Sequence, residues 1–174
     1  MYEMSGIFLV CDLCQNIIGR ILMRALFGVL IKIEKFRTYS FQDKLLILKA
    51  FFITGIMRII LILIPFKLLK KYMGEYNEES SFYSYRENNN RIEKICWAVT
   101  KISKYTPWKS KCLVQALTAE KLLYDEGFES TLYLGVNKNL KTGVIEAHAW
   151  LRCGEVYVTG GNGNEFFIVA KFKK

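Results

Sequence analysis

Apolar residues recur along this chain with two different periods, and the switch between them divides it. From Ser40 onward, Leu45, Leu48, Phe52, Ile56, Ile59 and Leu63 follow one another at three or four positions, the spacing of one helix face. Ser40 before Phe41-Gln42-Asp43 predicts an N-cap with an acid in the first turn, and Pro65 predicts the stop. The first forty residues are apolar almost all round and read as one or two short helices broken near Gly19 and Gly28. Gly74 to Asn90 is the most polar stretch and reads as a linker. Arg91–Tyr105 then places Ile92, Ile95, Val99 and Ile102 on one helix face, ended by Thr106-Pro107. Cys112–Glu126 is the next predicted helix, with Leu113, Ala116, Leu117 and Leu123 inward and Gly127 as its stop. Beyond it the period falls to two. Thr131–Val136, Val144–Cys153, Val156–Thr159 and Phe166–Phe172 read as strands, joined by a turn at 137–143 and a tight one at Gly154. The expected class is α+β: a helix followed by an antiparallel sheet of three or four strands, behind an N-terminal hydrophobic helical region.

Composition narrows the partners. A chain of 174 residues with 52% hydrophobic residues and two prolines is neither disordered nor collagenous. Five cysteines, an odd number with no signal-peptide pattern ahead of them, point to reduced thiols in a cytoplasmic setting. The net charge of +9 is uneven: residues 1–74 hold 11 Lys/Arg against 4 Asp/Glu, and residues 75–174 hold 14 against 12. We therefore divide the chain into a helical, basic, apolar region at 1–74 and a second domain at 75–174. The cations stand singly between apolar runs, without the basic clusters and exposed aromatics of a nucleic-acid binder, so nucleic acid is not an expected partner. Ala50–Phe66 carries one charge, Arg58, at its centre, and its charge-free runs are eight residues each. That is too short to span a bilayer. A helix buried against other helices is the first expectation for it, and a peripheral contact with an anionic membrane face the second.

Candidate chemistry rests on one histidine. His148 and Trp150 share one face of a strand while Ala147, Ala149 and Leu151 share the other. Cys112 opens a helix just after Pro107-Trp108-Lys109-Ser110-Lys111, and a helix N-terminus with neighbouring cations favours a thiolate. A thiolate positioned by an imidazole on a strand is the nucleophile–base arrangement of cysteine hydrolases and acyl-transferases. A buried thiol and a structural imidazole are the plain alternative. Cys96 lies within an amphipathic helix and Cys153 at a hairpin turn. Cys11-Asp-Leu-Cys14 has the spacing of half a zinc site, with no second pair or local histidine to complete it. No metal or cofactor is expected.

The order Cys112-Leu-Val-Gln-Ala-Leu, then Leu134-Gly-Val136, then Ala147-His-Ala-Trp150, then Val158-Thr-Gly-Gly161 resembles the transglutaminase-like cysteine peptidases that remove leaders in lasso peptide biosynthesis. Phe41–Met73, a hydrophobic helix ending in Pro65-Phe66 and a basic run, is similar to the N-terminal part of that family, so the resemblance covers about residues 41–172. It implies a transglutaminase-like (papain-like) core in which Cys112 is the nucleophile and His148 the general base. It further implies a ribosomal precursor peptide as substrate, a small leader-binding partner protein and an ATP-dependent macrolactam cyclase. The family often shows an aspartate on the strand after the histidine; here none stands between Leu151 and Lys174. If the hairpin turns at Cys153-Gly154, Thr159 lies opposite His148 and the orienting group comes from 159–162. Asn162 is the best candidate there, with Thr159 or a backbone carbonyl as alternatives, while Glu155 points away at the turn. An amide-forming acyl-transferase, and a non-catalytic membrane-associated scaffold, remain the rival functions.

Overall fold

The first long helix, α1 (Phe41–Leu63), opens on the predicted cap: the Asp43 N–H donates to Ser40 Oγ at 3.2 Å. The computed structural model describes residues 38–82, 89–138 and 143–174. The expected breaks near Gly19 and Gly28, the Cys11/Cys14 spacing and most of the 137–143 turn lie outside the described residues. By internal contacts the chain divides into two units, Met1–Lys44 and Leu45–Lys174. Everything from Leu45 of α1 to Lys174 belongs to the second.

α1 does not bury the stripe that its periodicity picks out. Leu45, Leu48, Phe52, Ile56, Ile59 and Leu63 are all exposed, whereas Leu46, Ile47, Ala50 and Thr54 on the opposite side are buried. The helix is apolar on both sides, so period alone cannot tell which one meets the core. The inward side is the one with small residues, and it approaches closely. A Cβ on Gly55 would lie 3.1 Å from the Trp108 ring, and Phe51 sits 4.9 Å from that ring, centroid to centroid. Thr54 Oγ1 donates to the Ala50 carbonyl one turn back, leaving its oxygen to face Thr118 at 3.5 Å.

After Pro65 come a single turn, α2 (Phe66–Leu69), and a 3-10 turn at Lys70–Tyr72. Two further helices, α3 (Asn89–Ile102) and α4 (Cys112–Asp125), pack together and lie against the sheet. They bury Ile92, Ile95 and Val99 from one, and Ala116, Leu117 and Leu123 from the other.

The sheet has five strands in the order β1-β5-β2-β3-β4, all paired antiparallel: β1 (Glu75–Tyr76), β2 (Thr131–Lys138), β3 (Ile145–Cys153), β4 (Val156–Thr159) and β5 (Phe167–Lys173). β2, β3 and β4 form a meander, and β5 returns to the free side of β2. Leu132 pairs with Leu151 on one side and Phe172 on the other, and all three are fully buried. That row is the centre of the core.

The linker reading of residues 74–90 fails at its start. Tyr76 pairs with Phe172 in β1, and Ser80 is buried, bonding Thr131 Oγ1 through both its N–H and its hydroxyl at 2.8 Å. The polar residues here serve a buried cation. Arg152 is 1% exposed and donates to Ser80 O, Gly154 O and the Tyr133 hydroxyl at 2.9, 2.8 and 3.0 Å. The Phe82 ring covers its guanidinium at 3.7 Å. Glu79 completes the cluster: its hydrogen bond from Lys171, with the charges of Lys171 and Arg152, holds its carboxyl below the usual range despite partial burial.

Candidate active site

Cys112 is the first residue of α4, and the loop before it is fixed from several sides. Pro107 cannot continue α3, so the chain turns. Thr106 Oγ1 lies 2.7 Å from Ser110 Oγ and donates toward the Trp108 carbonyl at 3.1 Å. Gln115, one turn into the helix, reaches back to donate from Nε2 to Ser110 O at 2.8 Å. Trp108 is seated against α1 as described above. Lys111 is the N-cap in extended geometry and offers no side-chain bond to the first turn. The first N–H groups of a helix have no intrahelical partners. Here the N-cap side chain leaves them unmet at the turn that Cys112 opens, and such a helix start stabilises developing negative charge.

The other described cysteines are poorer nucleophiles. Cys153 is fully buried and burial pushes its thiol up to about 11; burial also raises Cys96. Cys112 is half-buried at a helix start.

His148 projects from the face of β3 that also carries Trp150 and Arg152. Its Nε2 lies 2.7 Å from the carbonyl oxygen of Gly160. A carbonyl can only accept, so Nε2 holds the proton and Nδ1 of the neutral ring is the basic nitrogen. The ring is stacked near Phe166 at 4.8 Å and Trp150 at 5.9 Å, and Trp150 stacks in turn on Tyr133 at 5.4 Å. Trp150 is thus a platform. Gly160 and Gly163 both have positive φ, and a Cβ on either would collide with Trp150 or the strand beneath. The loop must be glycine to lie flat on the indole, and lying flat places the Gly160 carbonyl at the imidazole. Residues 160–166 and His148 enclose an open cleft of about 330 Å³.

Of the third groups expected from 159–162, the one at the ring is a backbone carbonyl, that of Gly160, while the two side chains are engaged elsewhere. Asn162 lines that cleft, but its Oδ1 accepts from the Asn164 N–H at 3.2 Å. Thr159 pairs with Leu151, because the turn falls at Gly154-Glu155 and a bulge between Leu151 and Arg152 shifts the register. Its hydroxyl is buried without a hydrogen-bond partner among the described residues. Glu155 is exposed at the turn. Among the described residues, no hydrogen bond joins Cys112 to His148; α4 packs on β3, and the ring's recorded partners are Gly160, Trp150 and Phe166. Sequence reasoning did not find the Phe166 stack or the Gln115 brace. The run Gly160-Gly-Asn-Gly163 after a strand was the available signal for the loop.

Residues 60–170 match the family model described as the transglutaminase-like superfamily. The chain belongs to that superfamily. Comparison with curated proteins and with solved structures gives no match. The superfamily includes cysteine peptidases and acyltransferases, and its fold is typically catalytic. The matched region of this transglutaminase-like chain contains Cys112, His148 and the whole glycine loop. It also begins inside α1, at the helix's last turn.

Proposed function

We propose that this transglutaminase-like domain is a cysteine peptidase that removes the leader from a ribosomally made lasso peptide precursor. The observation that carries the chemistry is the bond from His148 Nε2 to the Gly160 carbonyl. It fixes the ring and leaves Nδ1 free to take the proton of the Cys112 thiol, and the sulfur attacks the scissile carbonyl as it gives that proton up. The tetrahedral oxyanion is met by the uncapped N–H groups at the start of α4. The imidazolium then protonates the departing amine, a thioester forms on Cys112, and water activated by Nδ1 releases the leader acid. The motif order Cys112…His148 within Ala-His-Ala-Trp supports the lasso assignment. In that setting a small partner protein delivers the leader and an ATP-dependent cyclase closes the core.

The test is cleavage of a leader–core precursor by the purified chain, with and without a leader-binding protein, followed by mass spectrometry. Cys112→Ala, Cys112→Ser and His148→Ala are expected to lose at least about a thousandfold in kcat/KM while keeping the wild-type melting temperature. Unchanged turnover by Cys112→Ala overturns the reading. One observation favours a second reading, a non-catalytic scaffold: the thiol and the imidazole are not hydrogen-bonded to each other among the described residues. Rapid stoichiometric alkylation of Cys112 that His148→Ala slows would count against it.

A further inference from the structure

The outward face of α1 is the largest feature of the fold that the peptidase reading leaves unused. Leu45, Leu48, Phe52, Ile56, Ile59 and Leu63 form one continuous stripe, each between 44% and 73% exposed. At 1.5 Å per residue the helix holds that stripe along about 35 Å. Contiguous apolar surface of this kind marks a contact site.

Charge decides which contact. Residues 44–74 contain six Lys/Arg and no Asp/Glu. At 100° per residue, Lys49 falls about 60° to one side of the stripe's centre, and Arg58 about 120° to the other, on the edge shared with the buried side. Where the stripe ends, Phe66 and Leu68 are exposed among Lys67, Lys70 and Lys71. Beyond Asp43 in the first turn, every charge along this helix and the turns after it is a cation, which complements a surface that is oily within and negative at its rim. We propose that α1 docks lengthwise on the surface of an anionic lipid bilayer. Its stripe enters the acyl boundary, and Lys49, Lys67 and Lys71 reach the headgroups.

At 23 residues the helix is, against the expectation drawn from its short charge-free runs, long and apolar enough to cross a membrane by length and composition. Its inner face argues for lying flat instead. Ala50 and Thr54 are fully buried, Gly55 and Phe51 hold Trp108, and Thr54 meets Thr118 of α4. Crossing the bilayer would strip all of these contacts and place Arg58 in hydrocarbon. Lying flat keeps them.

Flotation of the full chain with vesicles tests this, using phosphatidylcholine alone against phosphatidylcholine mixed with phosphatidylglycerol. The expected result is flotation with the anionic vesicles, release by alkaline carbonate, and little binding to phosphatidylcholine. Leu48→Glu with Ile56→Glu, both exposed changes, is expected to abolish flotation with the melting temperature held. Should that pair unfold the chain, Lys67→Gln with Lys71→Gln gives the second reading, a loss of about fivefold in affinity for each charge removed. Four results overturn the proposal: no flotation with anionic vesicles, equal flotation with both compositions, resistance to carbonate, or self-association that the glutamates abolish without any vesicle binding.

Discussion

A carboxylic acid with one oxygen lacking a partner is expensive to ionise, and Glu120 is such a group. It is nearly fully buried on α4; among the described residues Oε1 has no hydrogen-bond partner, and Oε2 faces Lys174 Nζ at 3.6 Å. Burial outweighs the attraction of Lys174 and raises its pKa from 4.5 to about 7. A raised folded-state pKa means that the native chain holds this proton more tightly than the unfolded one. The associated stability is therefore full below pH 4.5 and is lost as pH rises through about 7. The total is on the order of 3 kcal/mol. Glu120→Gln should flatten this dependence, melting above the wild type near about pH 8 and converging with it at about pH 5, as thermal unfolding across pH will show. A second residue-scale prediction concerns the imidazole. Gly160→Ala adds a Cβ 2.5 Å from the Ala149 carbonyl, whereas Gly161→Ala imposes the same positive-φ strain with nothing nearby. The first should displace the Gly160 carbonyl and cost about tenfold or more in kcat/KM; the second should cost stability but little rate. Asn162→Ala should stay within about threefold. His148 is the only histidine, so its imidazole nitrogen resonances report directly whether Nε2 keeps its proton in each variant.

At the scale of elements, α1 has a mechanical part in the site. It holds Trp108, and Trp108 belongs to the same short loop that ends at Cys112. Trp108→Ala should therefore lower both the melting temperature, through about 2–4 kcal/mol of lost packing, and the cleavage rate. Trp108→Phe should restore much of each. Parallel rate and stability measurements will check this, since a purely structural ring would not move kcat in the folded fraction. The elements also show what could be read from the chain. The bounds of α4 were legible to within a residue, because Pro107 and Gly127 punctuate it and Ala116, Leu117 and Leu123 keep one period. The facing of His148 was legible from strand alternation alone. Its orienting group was legible only as far as the 159–162 stretch and the option of a backbone carbonyl, because a turn one residue later than expected and a β-bulge at Leu151/Arg152, neither marked in composition, together carry Thr159 opposite Leu151 and leave the Gly160 carbonyl at the ring. Nor was the role of residues 75–82. Glu79 and Ser80 look like solvent-facing linker residues until Arg152, far along the chain, is found buried against them.

For the whole molecule the order of the sheet matters more than any single contact. β5, near the end of the sequence, is an interior strand that pairs with β2 on one side and β1 on the other. Phe172 delivers a fully buried ring to the core row of Leu132 and Leu151. Ending the chain before residue 167 should leave β2 with an open hydrogen-bonding edge above an unfilled core. The expected outcome is an insoluble or molten product, where trimming within the 143–144 segment of the β2–β3 connection should be tolerated; solubility and proteolytic resistance will discriminate. The same topology has a consequence in time. On a translating ribosome β2, β3 and β4 emerge first and can zip as a meander, but the sheet cannot close until the 35 residues from the end of β2 to the end of β5 have been made and β5 has cleared the exit tunnel. During that interval the nascent chain displays an unpaired strand edge beside an apolar helix, so synthesis of this protein carries a window in which chaperone or membrane must occupy what its own last strand will later cover.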